Sequence, residues 1–432
     1  MKNNSTARGL AFASLLSFCK NGRYSNLEVD AVLRTTGAEL SAADRGLYTR
    51  LVYGVVERLL TLDHAIGEVS TRPLSDIDPA TLTALRMGVY QLLYMDRVPD
   101  HAAVSETVEL VPHRSRGFVN GVLRSFQRAG KKFSLPEGDM SIKYSVSPEI
   151  CALLSECWGE ETAESILAAS FDTGRVCLRI NTLRLTTEDA IGMLPDAERS
   201  AIASEIILLP SLTEAARDGI GRGLWFVQDE ASRIATEVLD ARPGERIADV
   251  CAAPGGKSFS AAIDMENRGE IFSFDLHKNK LSLIRSGAER LGLTVIRADA
   301  RDGGDPDASL AGSCDRVICD APCSGLGVLS KKPEIRYKDI RDVNRLPEVQ
   351  LRVLRGAASY VKPGGVLLYS TCTLNRHENE EVVRRFLAGD DRFTPEDFAV
   401  TPLLRSGDGM LTLLPHITGS DGFFIAKLRA RT

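Results

Sequence analysis

Arg246-Ile-Ala-Asp-Val-Cys-Ala-Ala-Pro-Gly-Gly-Lys257 decides the fold class. An apolar run over 246–250 ends in a glycine turn, the bare backbone through which a strand passes into a helix and a nucleotide can approach. Working outward, further apolar runs at 270–275, 294–298, 315–320 and 365–370 alternate with helical periodicity at 256–265, 278–291 and 345–360. That alternation predicts a doubly wound α/β domain on a mostly parallel sheet. Two last runs, Met410–Leu414 and Phe423–Leu428, are joined by Gly419-Ser-Asp-Gly422 and read as an antiparallel pair finishing the sheet. In such sheets ligands sit beyond the carboxyl ends of the strands. The ends at Cys251, at Ala321-Pro-Cys-Ser324 and at Ser370-Thr-Cys-Thr373 should therefore face one pocket holding two thiols.

A length of 432 residues allows two or three domains, each with ample core volume. The net charge of −5 offers no global basic field to a nucleic acid, so any such contact must be local. The N-terminal Met-Lys-Asn-Asn-Ser-Thr stretch lacks a signal-peptide core, and no apolar run approaches the roughly 18–20 residues that span a bilayer. Nine irregularly spaced cysteines without a CxxC pair point to reduced thiols in a cytoplasm. Six histidines in no metal-binding pattern predict no metal.

Residues 1–134 read as all-helical, with examples at Ala7–Cys19, Ser41–Leu60 and Pro79–Tyr94. Ser41 with Asp44, and Asp78 before Pro79, look like helix starts. Between Val111 and Lys132 lie Arg114, Arg116, Arg124, Arg128, Lys131 and Lys132 with no acidic residue. That run is either a solvated helix face or a surface for RNA phosphates. A linker over 131–138 leads to a small α/β segment, 140–235. Its helices are expected at Pro148–Trp158, at Ala163–Phe171 and from Thr187, its strands at Val176–Ile180 and Glu205–Leu209. Residues 236–432 form the last domain.

Pro254-Gly255-Gly256 is not the dinucleotide fingerprint, and a glycine turn alone says little. Asp275, twenty positions after Gly255 at the end of the second strand, can accept both hydroxyls of a ribose. Asp299, after the third strand, is placed for an adenine amino group. With no P-loop pattern and no metal site, S-adenosyl-L-methionine is favoured over ATP or NAD.

A thiol beside a methyl donor suggests pyrimidine chemistry. Cytosine C5 is too electron-poor to take a methyl group directly, but a thiolate adding to C6 makes C5 nucleophilic. A free cysteine is only about 3% thiolate at neutral pH, so the site should activate it. Asp320, three residues before Cys323, is the candidate acid for N3. Cys151, Cys177, Cys314 and Cys319 read as apolar filler, Cys323 and Cys372 as reactive.

Asp320-Ala-Pro-Cys-Ser-Gly-Leu-Gly327, Tyr369-Ser-Thr-Cys-Thr373 and Cys251-Ala-Ala-Pro-Gly-Gly-Lys257 resemble the motifs of the RNA cytosine-C5 methyltransferases. Leu51-Val-Tyr-Gly-Val-Val-Glu-Arg58 and Phe118-Val-Asn-Gly-Val-Leu-Arg124 resemble the NusB fold. The combination is that of the bacterial RsmB (Sun/Fmu) family, which modifies one cytosine of small-subunit (16S) rRNA. The resemblance implies an all-α NusB-like N-terminal domain, a small α/β middle domain and a Rossmann-like class I methyltransferase domain. It implies Cys372 as nucleophile and Cys323 as the cysteine that helps release product. It also implies cofactor contacts from Cys251, Ala252, Ala253, Pro254, Gly255, Gly256, Lys257, Asp275, Asp299 and Asp320. Thr373-Leu374 departs from the Ser-Val of many relatives.

Lys331, Lys332, Arg336 and Lys338, just after the Pro-Cys loop, are candidate contacts to flanking phosphates, with a solvated basic loop as the alternative. The expected protein is thus a cytoplasmic, monomeric enzyme acting on rRNA without metal or membrane. Its rivals are an RNA-binding factor with a relic catalytic domain, and a tRNA methyltransferase.

Overall fold

Ser41 and Asp78 start helices for a local reason: each side chain accepts a hydrogen bond from an orphan amide of the first turn, Asp44 N and Thr81 N respectively. The computed structural model describes residues 6–21, 25–36, 39–172, 174–402 and 404–432. Met1–Ser5, part of the N-terminal stretch considered above, lie outside the described residues. By their contacts the residues divide into two units, Met1–Glu156 with Lys331–Lys338, and Cys157–Ser330 with Asp339–Thr432.

The first unit is helical. It runs through α1 (Ala7–Asn21), α2 (Ser25–Arg34), α3 (Ala42–Glu57), α4 (Leu59–Val69), α5 (Pro79–Tyr94), α6 (Asp100–Val108), α7 (His113–Arg128), α8 (Met140–Tyr144) and, up to Glu156, α9 (Pro148–Trp158). Its core is apolar, built from residues such as Leu51, Val55, Leu62, Leu85, Val119, Leu123 and Phe126. Gly54 in α3 lets α5 approach closely: a Cβ there would lie 1.9 Å from the Tyr90 hydroxyl.

One continuous helix was expected over Ser41–Leu60, yet α3 ends at Glu57 and α4 begins at Leu59. The break has an identifiable cause. The Tyr337 hydroxyl donates to Val56 O (2.7 Å) and accepts from Leu59 N (3.2 Å), while Leu60 N donates to Ser145 Oγ (2.9 Å). Side chains distant in sequence thus occupy the rungs of the helical ladder.

The second unit carries both sheets. A four-stranded antiparallel sheet has the order β2-β3-β1-β4, from β1 (Val176–Ile180), β2 (Glu198–Arg199), β3 (Ile206–Leu209) and β4 (Trp225–Val227). The eight-stranded sheet among the described residues comprises β5 (Arg246–Asp249), β6 (Glu270–Asp275), β7 (Ile296–Ala300), β8 (Cys314–Asp320), β9 (Val361–Thr371), β10 (Phe393–Pro395), β11 (Met410–Leu413) and β12 (Phe423–Ala430). Strands β7-β6-β5-β8-β9 run parallel, and β12 closes against β9 antiparallel with β11 beside it. The buried faces of β8 and β9 explain their unbroken apolar runs, since helices cover both sides of such a sheet. No helix of the described residues is long and apolar enough to cross a membrane.

Candidate active site

The order of the large sheet reverses between β5 and β8, which pair in parallel as Ile247 with Arg316 through Asp249 with Ile318. A doubly wound sheet opens its ligand crevice at that reversal, beyond the carboxyl ends. A cavity of about 180 Å³ lies there, lined among others by Asp249, Cys251, Ala252, Ala253, Pro254, Gly256, Lys257 and Asp320. Gly255 turns the chain with φ +115, and a Cβ on it would strike the Phe259 ring at 2.3 Å. At Gly256 the nearest atom to a built Cβ is Gln228 Nε2 at 3.7 Å, so the backbone lies open. The helix Gly256–Asp264 begins at this point.

Asp275, at the end of β6, is buried and accepts from Ala253 N (3.3 Å) and His277 N (2.9 Å). It braces the turn. Asp299 lies within β7, exposed, in register with Phe274 and outside the lining of the cavity. Sequence reasoning overlooked Asp249, although an acid inside the apolar run Ile247-Ala-Asp-Val250 was a visible signal. It is fully buried; Oδ2 accepts from Ser258 Oγ at 2.7 Å, and Oδ1 has no partner. Burial pushes its carboxyl up to about 7, opposed by the Ser258 bond. The cavity, the open backbone at Gly256 and the orphaned Asp249 oxygen together fit a polar nucleoside ligand.

Lys257 Nζ sits 2.7 Å from Asp320 Oδ2 and 5.0 Å from the Phe423 ring centroid, and Ser370 Oγ donates to Asp320 Oδ1 at 2.7 Å. Beyond β8 and β9, Cys323 Sγ and Cys372 Sγ lie 3.3 Å apart. The Cys323 thiol is pushed well above its ordinary value, first by its hydrogen bond to Cys372 and then by burial. Cys319, fully buried, and Cys251, half-buried on the cavity wall, are both pushed up chiefly by burial.

Sequence reasoning also missed the layer beneath the thiols. Ser324 Oγ and Thr373 Oγ1 are 2.6 Å apart, and Gly327 N donates to Cys372 O at 3.0 Å. Glu378 accepts from Ser324 N, Gln350 Nε2 and Asn375 Nδ2. Asn379 donates to Thr373 O at 2.9 Å. The one visible signal was the polar stretch Asn375-Arg-His-Glu-Asn-Glu380 following the Thr-Cys motif.

Among the candidate RNA contacts, Arg114, Arg124, Arg128 and Lys132 are exposed around α7. Arg116 and Lys131 are half-buried, engaged with Glu109 (2.8 Å) and Asp100 (2.6 Å). Lys331 and Lys332 are exposed and Lys338 is half-buried. Arg336 must be corrected. It is fully buried within the helical unit, donating to Tyr144 O at 3.0 Å, and cannot reach a phosphate from there.

Two family models match the chain, that of the 16S rRNA methyltransferase RsmB/F over residues 236–429 and that of the NusB family over 5–128. The chain is 36% identical to a probable ribosomal RNA small subunit methyltransferase B of Bacillus subtilis, with 100% of each chain covered. It is also 36% identical to a protein of the same name from Synechocystis, covering 98% of this chain and 99% of that one. The crystal structure of PH0851 superposes with a TM-score of 0.80 at 25% identity, covering 97% and 98% of the two chains.

Proposed function

The chain belongs to the ribosomal RNA small subunit methyltransferase B family, and from that premise we propose that it methylates C5 of one cytosine in 16S rRNA through a covalent Cys372–C6 intermediate. The observation that carries this reading is the 3.3 Å Cys323–Cys372 pair at the carboxyl edge of β8 and β9, next to the Lys257–Asp320 pair. A solitary buried cysteine would be filler; two sulfurs in contact beside an ion pair at a ligand crevice are chemical machinery.

Cys372 is the nucleophile. Its sulfur forms the bond to C6, and the C5–C6 electron pair moves into the ring as N3 gains a proton. Lys257 Nζ and Asp320 Oδ2, 2.7 Å apart, are assigned as the pair that delivers it. S-adenosyl-L-methionine, when bound, would supply an electrophilic methyl group for C5 with a neutral thioether as leaving group. The Cys251–Lys257 turn would hold it by backbone, Asp275 would take its ribose hydroxyls, and Asp299 is assigned its adenine amino group. Transfer of the C5 proton to a solvent base restores the C5–C6 double bond and returns the C6–S electron pair to Cys372, and N3 gives its proton back to the Lys257–Asp320 pair. Cys323, whose raised value keeps its proton beside that sulfur, protonates the departing thiolate.

RNA recognition is assigned to Arg114, Arg124, Arg128, Lys132, Lys331 and Lys332, with Arg116, Lys131 and Lys338 at the rim. Arg114 and Arg116 open α7, a helix with no acidic residue in its first turn. Cations there oppose the helix dipole, a cost that a bound phosphate reverses. In this reading residues 1–134 recognise RNA, 140–235 connect, and 236–432 catalyse, in a cytoplasmic monomer. The test is bisulfite mapping of 16S rRNA incubated with enzyme and cofactor. One new 5-methylcytosine is expected with the wild type and none with Cys372→Ala. Wild-type methylation by Cys372→Ala, or label on another atom, overturns the reading.

A further inference from the structure

We propose that Glu378 is the positioning residue that sets the separation of the Cys323 and Cys372 sulfurs, an inference that rests on the thiol chemistry above. Glu378 is fully buried. Its Oε2 accepts from Ser324 N, the residue after Cys323, and from Gln350 Nε2, both at 2.8 Å. Its Oε1 accepts from Asn375 Nδ2 at 2.9 Å, three residues past Cys372. Gln350, on the helix Leu346–Ala358, also donates to Pro322 O at 3.0 Å, so the same carboxylate grips the Pro-Cys loop from both sides of the cysteine. The backbone oxygen of Glu378 takes the Tyr369 hydroxyl at 2.6 Å, fixing it to β9.

The chemistry requires a carboxylate. All three side-chain contacts are N–H donors, so both oxygens must accept. An amide of the same shape would set its own N–H₂ against one donor and leave a buried group unsatisfied. A carboxylate buried among neutral donors is costly. It is repaid in geometry, because it ties the two cysteine loops at points one and three residues from the sulfurs.

The direct readout is oxidative cross-linking of Cys323 to Cys372 by a diazenedicarboxamide, which takes up both thiol protons and two electrons as the Sγ–Sγ bond forms. In full-length Glu378→Gln the cross-linking rate should fall on the order of 100-fold, the penalty of a misplacement near 1 Å. Cofactor affinity should stay within about twofold of wild type, since the Cys251–Lys257 turn is untouched. Adding Asn375→Asp turns the mismatched contact back into donor and acceptor and should restore the rate. Should Glu378→Gln fail to fold, Gln350→Met, which removes the bonds from Nε2 to Glu378 Oε2 and to Pro322 O but leaves Ser324 N on the carboxylate, is expected to slow cross-linking about tenfold. Wild-type cross-linking in whichever variant folds overturns the proposal. The same variants assayed with RNA should raise the ratio of trapped adduct to released product. If the wild type forms no adduct at all, the thiol chemistry fails while the cross-linking rates still judge Glu378.

Discussion

The helical unit and the thiol end of the large sheet are built on opposite economies. Inside the helical unit, Leu51, Val52, Val55, Val56, Leu62 and Leu85 meet through apolar contact, with polar contacts such as Ser14–Tyr48, Gln91–Thr107 and the Tyr337–Ser145 pair set among them. Beneath the thiols, Ser324, Gln350, Ser370, Thr371, Thr373, Asn375, Glu378 and Asn379 are all buried and joined by hydrogen bonds. Apolar burial scales with area and tolerates small shifts. A hydrogen-bonded lattice tolerates few, because each group left unpaired carries a desolvation cost. The first arrangement yields stability and the second yields position.

Breaking the second region should therefore remove function without removing the fold. Cys372→Ala is expected to cut methyl transfer by more than about a thousandfold while the melting temperature barely moves. Cys323→Ala should also stop turnover, by accumulating a covalent protein–RNA species on a denaturing gel. Absence of that species with Cys323→Ala, or its presence with Cys372→Ala, would erase the distinction between their roles.

Asp249 sharpens the comparison through pH. Its unfolded carboxyl ionises near 3.8 and its folded one near 7. Below about pH 4 both states hold the proton; between 4 and 7 the unfolded state alone releases it, so stability falls as pH rises and levels off above 7. Asp249→Asn lacks that loss. Its melting temperature should gain on wild type across this window, equivalent to at most about 4 kcal/mol. A difference that stays constant from pH 4 to 8 would contradict the assignment.

In the helical unit the expected effect is on stability. Gly54→Ala drives a methyl into Tyr90 and should cost about 1–3 kcal/mol. It lowers the melting temperature and leaves the ratio of adduct to product untouched. The smallest effect belongs to the surface: Arg124→Ala should weaken RNA binding a few-fold and reduce the salt slope by about one. A change in slope with Arg336→Ala, without unfolding, would reopen the case for that buried residue as a phosphate contact.

The same contrast explains what the sequence disclosed. Apolar runs and turn residues are local, so β5 to β9, the helix Gly256–Asp264 and α5 stood out from their own stretches. Both cysteines were legible because strand ends converge in this topology whatever the details. The break between α3 and α4 was not, because its cause, Tyr337, lies 278 residues from Leu59. Arg336 was misread for the same reason: a basic residue in a short loop gives no local sign that its carbonyl and guanidinium are taken up by Ser147 N and Tyr144 O. Glu378 read as an ordinary acid, since nothing near it in the chain reveals that Ser324 and Gln350 converge on it.

The central claim is tested most directly by peptide mass mapping of the species trapped when Cys323→Ala is incubated with cofactor and a 16S rRNA substrate. A nucleotide attached to the peptide bearing Cys372 is the result this account predicts. Attachment at any other residue, or a trapped species that still forms when Cys372 is also replaced by alanine, would contradict it.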